Sequence, residues 1–90
     1  MLQTAGDLNF FGFLLDGYRV SEQASKTTDA NVLYFGFVNR MGEWYIMEQD
    51  TSAGSNDLQT YRFVKGDSGY TTAWTAREAQ TYDYFYTTFK

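Results

Sequence analysis

Neither cysteine nor histidine occurs anywhere in the sequence, and proline is absent as well. Without thiols no disulfide can staple a small domain, and without thiols or imidazoles the usual sulfur and nitrogen ligands of structural zinc are missing. The same absences exclude a Ser-His-Asp triad and a cysteine nucleophile. Lack of proline removes a common way of blunting strand edges, which leaves them open to pairing with a neighbour. Cations are few and scattered, 7 Lys+Arg against 11 Asp+Glu, for a formal net charge of -4. No basic cluster forms, so the electrostatic footprint of a nucleic-acid binder is missing. Long apolar runs are lacking too. Leu8 to Leu15 is interrupted by Asn9 and Gly12, and it is far shorter than the ~20 residues that cross a bilayer. The opening MLQTAGD has no positive region of the kind that begins a secretion signal. The expectation is no nucleic acid, no membrane, no cofactor and no metal.

What the chain does have is aromatic mass: Phe 8, Tyr 8 and Trp 2, or 20% of its residues. A chain of 90 residues is one domain near the lower end of sizes with a self-sufficient core, where roughly 60–65% of the unfolded surface is buried. Each ring can remove about 150–250 Å² from water. Dense aromatic packing and self-association are the two remedies left to so small a fold.

The run Asn31 to Asp50, NVLYFGFVNRMGEWYIMEQD, has two aromatic-rich arms around Asn39-Arg40-Met41-Gly42 and reads as a β-hairpin, since β-branched and aromatic residues suit a pleated surface and Asn and Gly suit its turn. Alternation puts Leu33, Phe35 and Phe37 on one side of the first arm and Val32, Tyr34 and Val38 on the other, so both faces want cover. The second arm is only loosely amphipathic, with one flank expected against another subunit. Met1 to Asp7 reads as a flexible N-terminal arm, and residues 8–90 as a single β domain. Within it the apolar run Leu8 to Arg19 allows a buried strand or a short helix, with Gly12 and Gly17 favouring strands: Asp16-Gly17 is then a turn, and Tyr18-Arg19-Val20 begins the return strand of a small hairpin. Ser21 to Asn31 is read as a polar surface loop and Thr51 to Asp57 as a flexible connection. Leu58 to Lys65 follows as a strand; a helical turn capped by Thr71 or Thr72 extends through Glu78; Thr81 to Phe89 is a final strand with Tyr82, Tyr84 and Tyr86 sharing a face. The fold class is all-β: a small antiparallel β-sandwich or open barrel of five to seven strands with one short helical turn.

The blocks Tyr34-Phe-Gly-Phe, Gly42-Glu-Trp-Tyr-Ile-Met47, Thr60-Tyr-Arg-Phe, Lys65-Gly-Asp, Tyr70-Thr-Thr-Ala-Trp-Thr-Ala-Arg77 and Thr81-Tyr-Asp-Tyr-Phe85 resemble those of small aromatic-rich β modules encoded near the virion structural genes of tailed bacteriophages. The resemblance runs from Tyr34 onward and leaves Met1 to Asn31 out. It implies a setting, a virion assembled from protein made in the host cytoplasm, and brings no catalytic residues with it.

Carboxylate pairs such as Glu43 with Glu48, or Asp50 with Asp57, would act as a glycosidase acid and base only if held ~5–9.5 Å apart across a cleft, and nothing in their spacing supplies one. The oxygen-rich loops Asp50 to Asp57 and Lys65 to Gly69 match no calcium loop. The chain is therefore expected not to be an enzyme. Its aromatic residues are the better candidates, because Tyr adds contact area at low entropic cost and keeps a polar tip. Phe10, Phe11, Phe13, Tyr82, Tyr84, Tyr86 and Phe89 are the expected contacts with other copies of the chain and with a capsid or tail protein. The expected function is virion assembly through aromatic contacts and strand-edge pairing, as a head decoration or cement protein or, nearly equally, a tail, collar or fibre component. The alternative is a carbohydrate-binding host-adhesion module in which Trp44, Trp74 and Tyr70 stack on a glycan, although core positions for the two tryptophans are the plainer expectation.

Overall fold

The computed structural model describes residues 15, 17–51 and 59–89. Four antiparallel strands, β1 (Arg19–Lys26), β2 (Asp29–Val38), β3 (Trp44–Asp50) and β4 (Thr60–Gly66), form one sheet in sequential order. Helix α1 (Tyr70–Thr75), a 3-10 turn (Arg77–Ala79) and helix α2 (Phe85–Thr88) follow. The all-β antiparallel class with short helical elements is as expected. Among the described residues there are four strands, not five to seven. The arm Met1 to Asp7 and the strand expected over Leu8 to Leu15 lie outside the described residues except for Leu15, as does most of the Thr51 to Asp57 connection.

The β2–β3 hairpin forms where its turn chemistry places it. Asn39 Oδ1 accepts from the backbone N–H of Met41 (2.9 Å) and of Glu43 (3.0 Å), and its Nδ2 donates to Glu43 Oε1 at 2.7 Å. Gly42 takes a φ of 86°, in the left-handed region that costs an L side chain energy but not glycine. The strands then pair in continuous register from Val38 opposite Trp44 to Val32 opposite Asp50. β3 is central, and Trp44, Tyr45, Ile46 and Met47 are all buried. Its loosely amphipathic pattern reflects cover on both faces by this chain itself, not a flank reserved for another subunit.

The Ser21 to Asn31 segment is mostly strand, correcting the loop reading. β1 is polar and largely exposed, and it exists because the β2 backbone needs a partner along that edge, which a solvated antiparallel edge strand can supply without an apolar face. Register shifts interrupt the β1–β2 ladder between Val20 and Glu22 and between Ser25 and Lys26. The β1–β2 turn is tied down from afar: Glu78 Oε2 accepts from the Thr27 backbone N–H at 3.0 Å and from its hydroxyl at 2.6 Å. Those hydrogen bonds hold the Glu78 carboxyl below its ordinary pKa.

One face of the sheet gathers Val32, Tyr34, Trp44 and Ile46 beneath Ala73, with Tyr70, Trp74 and Tyr82 packed against them. α1 starts at Gly69, whose φ is 73° and which offers no side-chain cap; Thr71 and Thr72 lie inside the helix. So short a helix is held by what it packs on. Tyr70 and Trp74, four residues apart on one helical face, lie over Gly36, where a Cβ would collide with the Tyr70 hydroxyl and stand 3.0 Å from the Trp74 ring. Gly66 makes room in the same way for the Trp44 indole, whose Nε1 donates to Ser68 O at 2.6 Å.

The other face is an aromatic pile on Tyr45, which is 0% exposed. Phe37 stacks on it at 4.5 Å, while Tyr18 and Phe89 meet it edge-on at 5.0 and 5.4 Å. Phe63 stands 6.2 Å away and is met in turn by Phe85 at 5.4 Å. The Tyr45 hydroxyl accepts from Leu15 N at 2.9 Å.

Thr81 to Phe89 is not a strand. Only Asp83 pairs with β4, exchanging both backbone hydrogen bonds with Phe63 at 2.6 and 2.9 Å. Tyr82 sits on the first face, 5.7 Å from Tyr34, whereas Phe85 and Phe89 sit on the second. The chain therefore steps over the β4 edge at Asp83 and caps it. Phe85 and Phe89, four apart, meet on the second face as a helical spacing places them, and the alternation of Tyr82, Tyr84 and Tyr86 concealed it.

Candidate interaction surface

The step over the β4 edge turns three consecutive aromatic residues outward. Tyr84 is 45%, Phe85 43% and Tyr86 75% exposed. The Tyr84 and Tyr86 rings are parallel within 5°, with centroids 6.4 Å apart. Arg62 of β4 lies over Tyr84, its guanidinium carbon 5.2 Å from the ring centroid and its Nη2 at a long 3.5 Å from the hydroxyl. A guanidinium over an aromatic face gains from the ring quadrupole, by about 0.5–1 kcal/mol at an exposed site.

The backbone beneath is well supported. Asp83 Oδ1 accepts from Tyr84 N at 2.8 Å, Thr87 and Thr88 N–H groups both donate to Tyr84 O at 3.0 Å, and Thr88 Oγ1 donates to Phe63 O at 3.2 Å. The paired rings thus stand on a segment anchored to β4.

Of the other expected contact residues, Tyr82 is turned inward and donates its hydroxyl to Arg77 O at 2.8 Å, and Phe89 is packed into the second core. These two serve the fold, whereas Tyr84 and Tyr86 are exposed. Phe10, Phe11 and Phe13 lie outside the described residues. Phe85, not among the expected contacts, is both exposed and in contact with Phe63.

The residues named for glycan stacking are placed differently. Trp44 is buried. Trp74 lies between Tyr70, 6.1 Å away, and the Arg77 guanidinium, 4.7 Å from its ring. Tyr70 donates its hydroxyl to Glu22 at 2.8 Å. Trp44 is a core residue, as the plainer reading of it expected, whereas Trp74 and Tyr70 are half-buried where α1 packs on the sheet.

The carboxylates are not brought together. Glu43 belongs to the β2–β3 turn and is bonded to Asn39, whereas Glu48 accepts from the Tyr34 hydroxyl at 3.1 Å. Five residues apart along an extended segment, they are separated by about 17 Å. Asp57 lies outside the described residues. An open groove of about 430 Å³ is lined by Tyr18, Glu43, Trp44, Lys65, Gly66 and Asp67. Among the described residues no cluster of three or more potential metal ligands occurs, and no helix is long and apolar enough to cross a membrane.

Burial raises the pKa of the Tyr34, Tyr70 and Tyr82 hydroxyls well above the ordinary 10.0, with Glu48 adding to the effect at Tyr34 and Glu22 at Tyr70. Tyr45 is pushed up to about 12, again chiefly by burial. A group that holds its proton more tightly when folded contributes stability that is complete below its unfolded pKa and is lost as pH rises toward the folded value. The protein should therefore lose stability steadily above pH 10, ionising these tyrosines and unfolding in one transition. Phenolate absorbance and circular dichroism followed together through an alkaline titration test this; full phenolate absorbance with the sheet intact would contradict it.

Comparison with protein-family models, with curated proteins and with solved structures finds no match for this chain.

Proposed function

We propose that this chain is a bacteriophage virion structural protein that works by assembly, binding other copies of itself and a capsid or tail protein through Tyr84, Phe85 and Tyr86. The observation that carries this reading is that the fold sets three neighbouring rings outward on a braced turn while filling both faces of its sheet with others. Exposed aromatic clusters on a rigid support are what protein interfaces use as anchors. The virion setting rests on the resemblance of the aromatic blocks from Tyr34 onward. Within that setting a head decoration or cement role comes first and a tail, collar or fibre role next, because both need many copies held by compact contacts.

Parallel tyrosine rings also suit the flat face of a sugar, which keeps a carbohydrate-binding adhesion module as the second reading, now on Tyr84 and Tyr86 in place of the tryptophans. Mass spectrometry of gradient-purified particles from an infection that expresses this chain decides between them and the first reading. Recovery at many copies per particle, lost for Tyr84→Ser with Tyr86→Ser, is expected. Particles free of the chain would defeat the virion assignment, and retention of a soluble chain on a glycan matrix would favour adhesion.

A further inference from the structure

The β2–β3 turn carries the chemical complement of the tyrosine stack. Because Asn39 satisfies the turn from within, Arg40 and Met41 are left to solvent, and Met41 is 82% exposed. Arg19, opposite Val38 at the start of β1, joins them: Gly17, Arg19, Asn39 and Arg40 line one shallow groove of about 400 Å³, and with Met41 an adjoining one of about 300 Å³. Glu43, the nearest described carboxylate in the turn, is turned back onto the Asn39 amide. Two guanidiniums and a bare thioether thus share one tip of a chain whose net charge is -4.

Guanidiniums bind aromatic faces through the ring quadrupole, and thioether sulfur favours ring edges. The stack at the β4 edge already accepts one guanidinium, that of Arg62 on Tyr84. Tyr86, the more exposed ring, keeps most of its surface in solvent. Within one molecule Arg19 on β1 and the stack on β4 lie at opposite edges of the sheet, three strand spacings or about 14 Å apart. A second copy can bring them together.

We propose that the Arg19–Arg40–Met41 tip of one copy docks on the Tyr84–Tyr86 stack of the next. The two surfaces differ, so the contact is head-to-tail and each copy added leaves one tip and one stack free, which builds a ring or a filament and not a closed dimer. This inference rests on the assembly reading above and specifies its geometry.

The test uses the full chain and two variants altered only at exposed positions: a tip variant, Arg40→Glu with Met41→Ser, and a stack variant, Tyr84→Ser with Tyr86→Ser. Circular dichroism verifies folding, and sedimentation velocity over a concentration series reads the state. The wild-type chain is expected to grow beyond dimers, each variant alone to stay monomeric, and an equimolar mixture to form dimers and stop there, since each mixed pair joins its two intact surfaces and leaves only altered ones. A folded tip variant that assembles like wild type, or a mixture that stays monomeric while wild type assembles, overturns the head-to-tail contact and leaves the assembly reading standing. A wild-type chain that is monomeric throughout overturns both, as does one that remains single but binds glycan through the stack.

Discussion

Tyr45→Ala is expected to remove about 3–5 kcal/mol of stability, the usual cost of truncating a fully buried aromatic side chain. The ring is 0% exposed and touches Phe37, Tyr18, Phe63 and Phe89. No one of these neighbours can collapse into the space without losing contacts of its own. A 90-residue domain holds in all roughly 5–13 kcal/mol, at 0.05–0.15 kcal/mol per residue, so the loss is a large fraction of the total. Tyr45→Phe keeps the ring and loses the hydroxyl that accepts from Leu15 N, a change of about 0.5–1.5 kcal/mol. Urea unfolding of the three proteins, followed by far-ultraviolet circular dichroism, gives the comparison. Similar losses for the Ala and Phe variants would mean that the hydrogen bond, and not the aromatic pile, holds this face together.

The second large effect lies on the opposite face. Gly36→Ala should destabilise by about 1–3 kcal/mol, the range for forcing extra atoms into a packed interior. Loss of glycine's backbone freedom is not the cause, because Gly36 sits in a regular strand and its value is the space its missing side chain leaves. An added methyl would push on Tyr70, whose hydroxyl is bonded to Glu22, and on Trp74. It would therefore lift α1 from the sheet and open the Tyr70–Glu22 bond. The signature is non-additivity: in Tyr70→Ala, where the obstructing ring is gone, Gly36→Ala should cost distinctly less. Equal cost in both backgrounds, measured by urea unfolding with tryptophan fluorescence, would remove Tyr70 as the cause.

The central hairpin, β4 and the helix near Trp74 could be read from the sequence because each is specified within a few residues. Asn39 and Gly42 make the turn, two apolar faces demand cover, and alternation over Thr60–Gly66 matches a strand. The absence of thiols and imidazoles likewise put the burden of stability on rings. Tertiary structure alone decided three things. It carried the strand that starts at Arg19 on through the polar residues to Lys26, since what that segment supplies is backbone pairing to β2, to which hydrophobic pattern is blind. It gave Gly36 its purpose, because the space it leaves is filled by residues more than thirty positions away. And it sorted the tyrosines of Thr81 to Phe89, where rings at so many positions fit a period of two and a helical period equally well. There the sheet's uncovered second face took Phe85 and Phe89, Tyr82 was kept on the first, and only Tyr84 and Tyr86 were left with Phe85's outer edge for the surface.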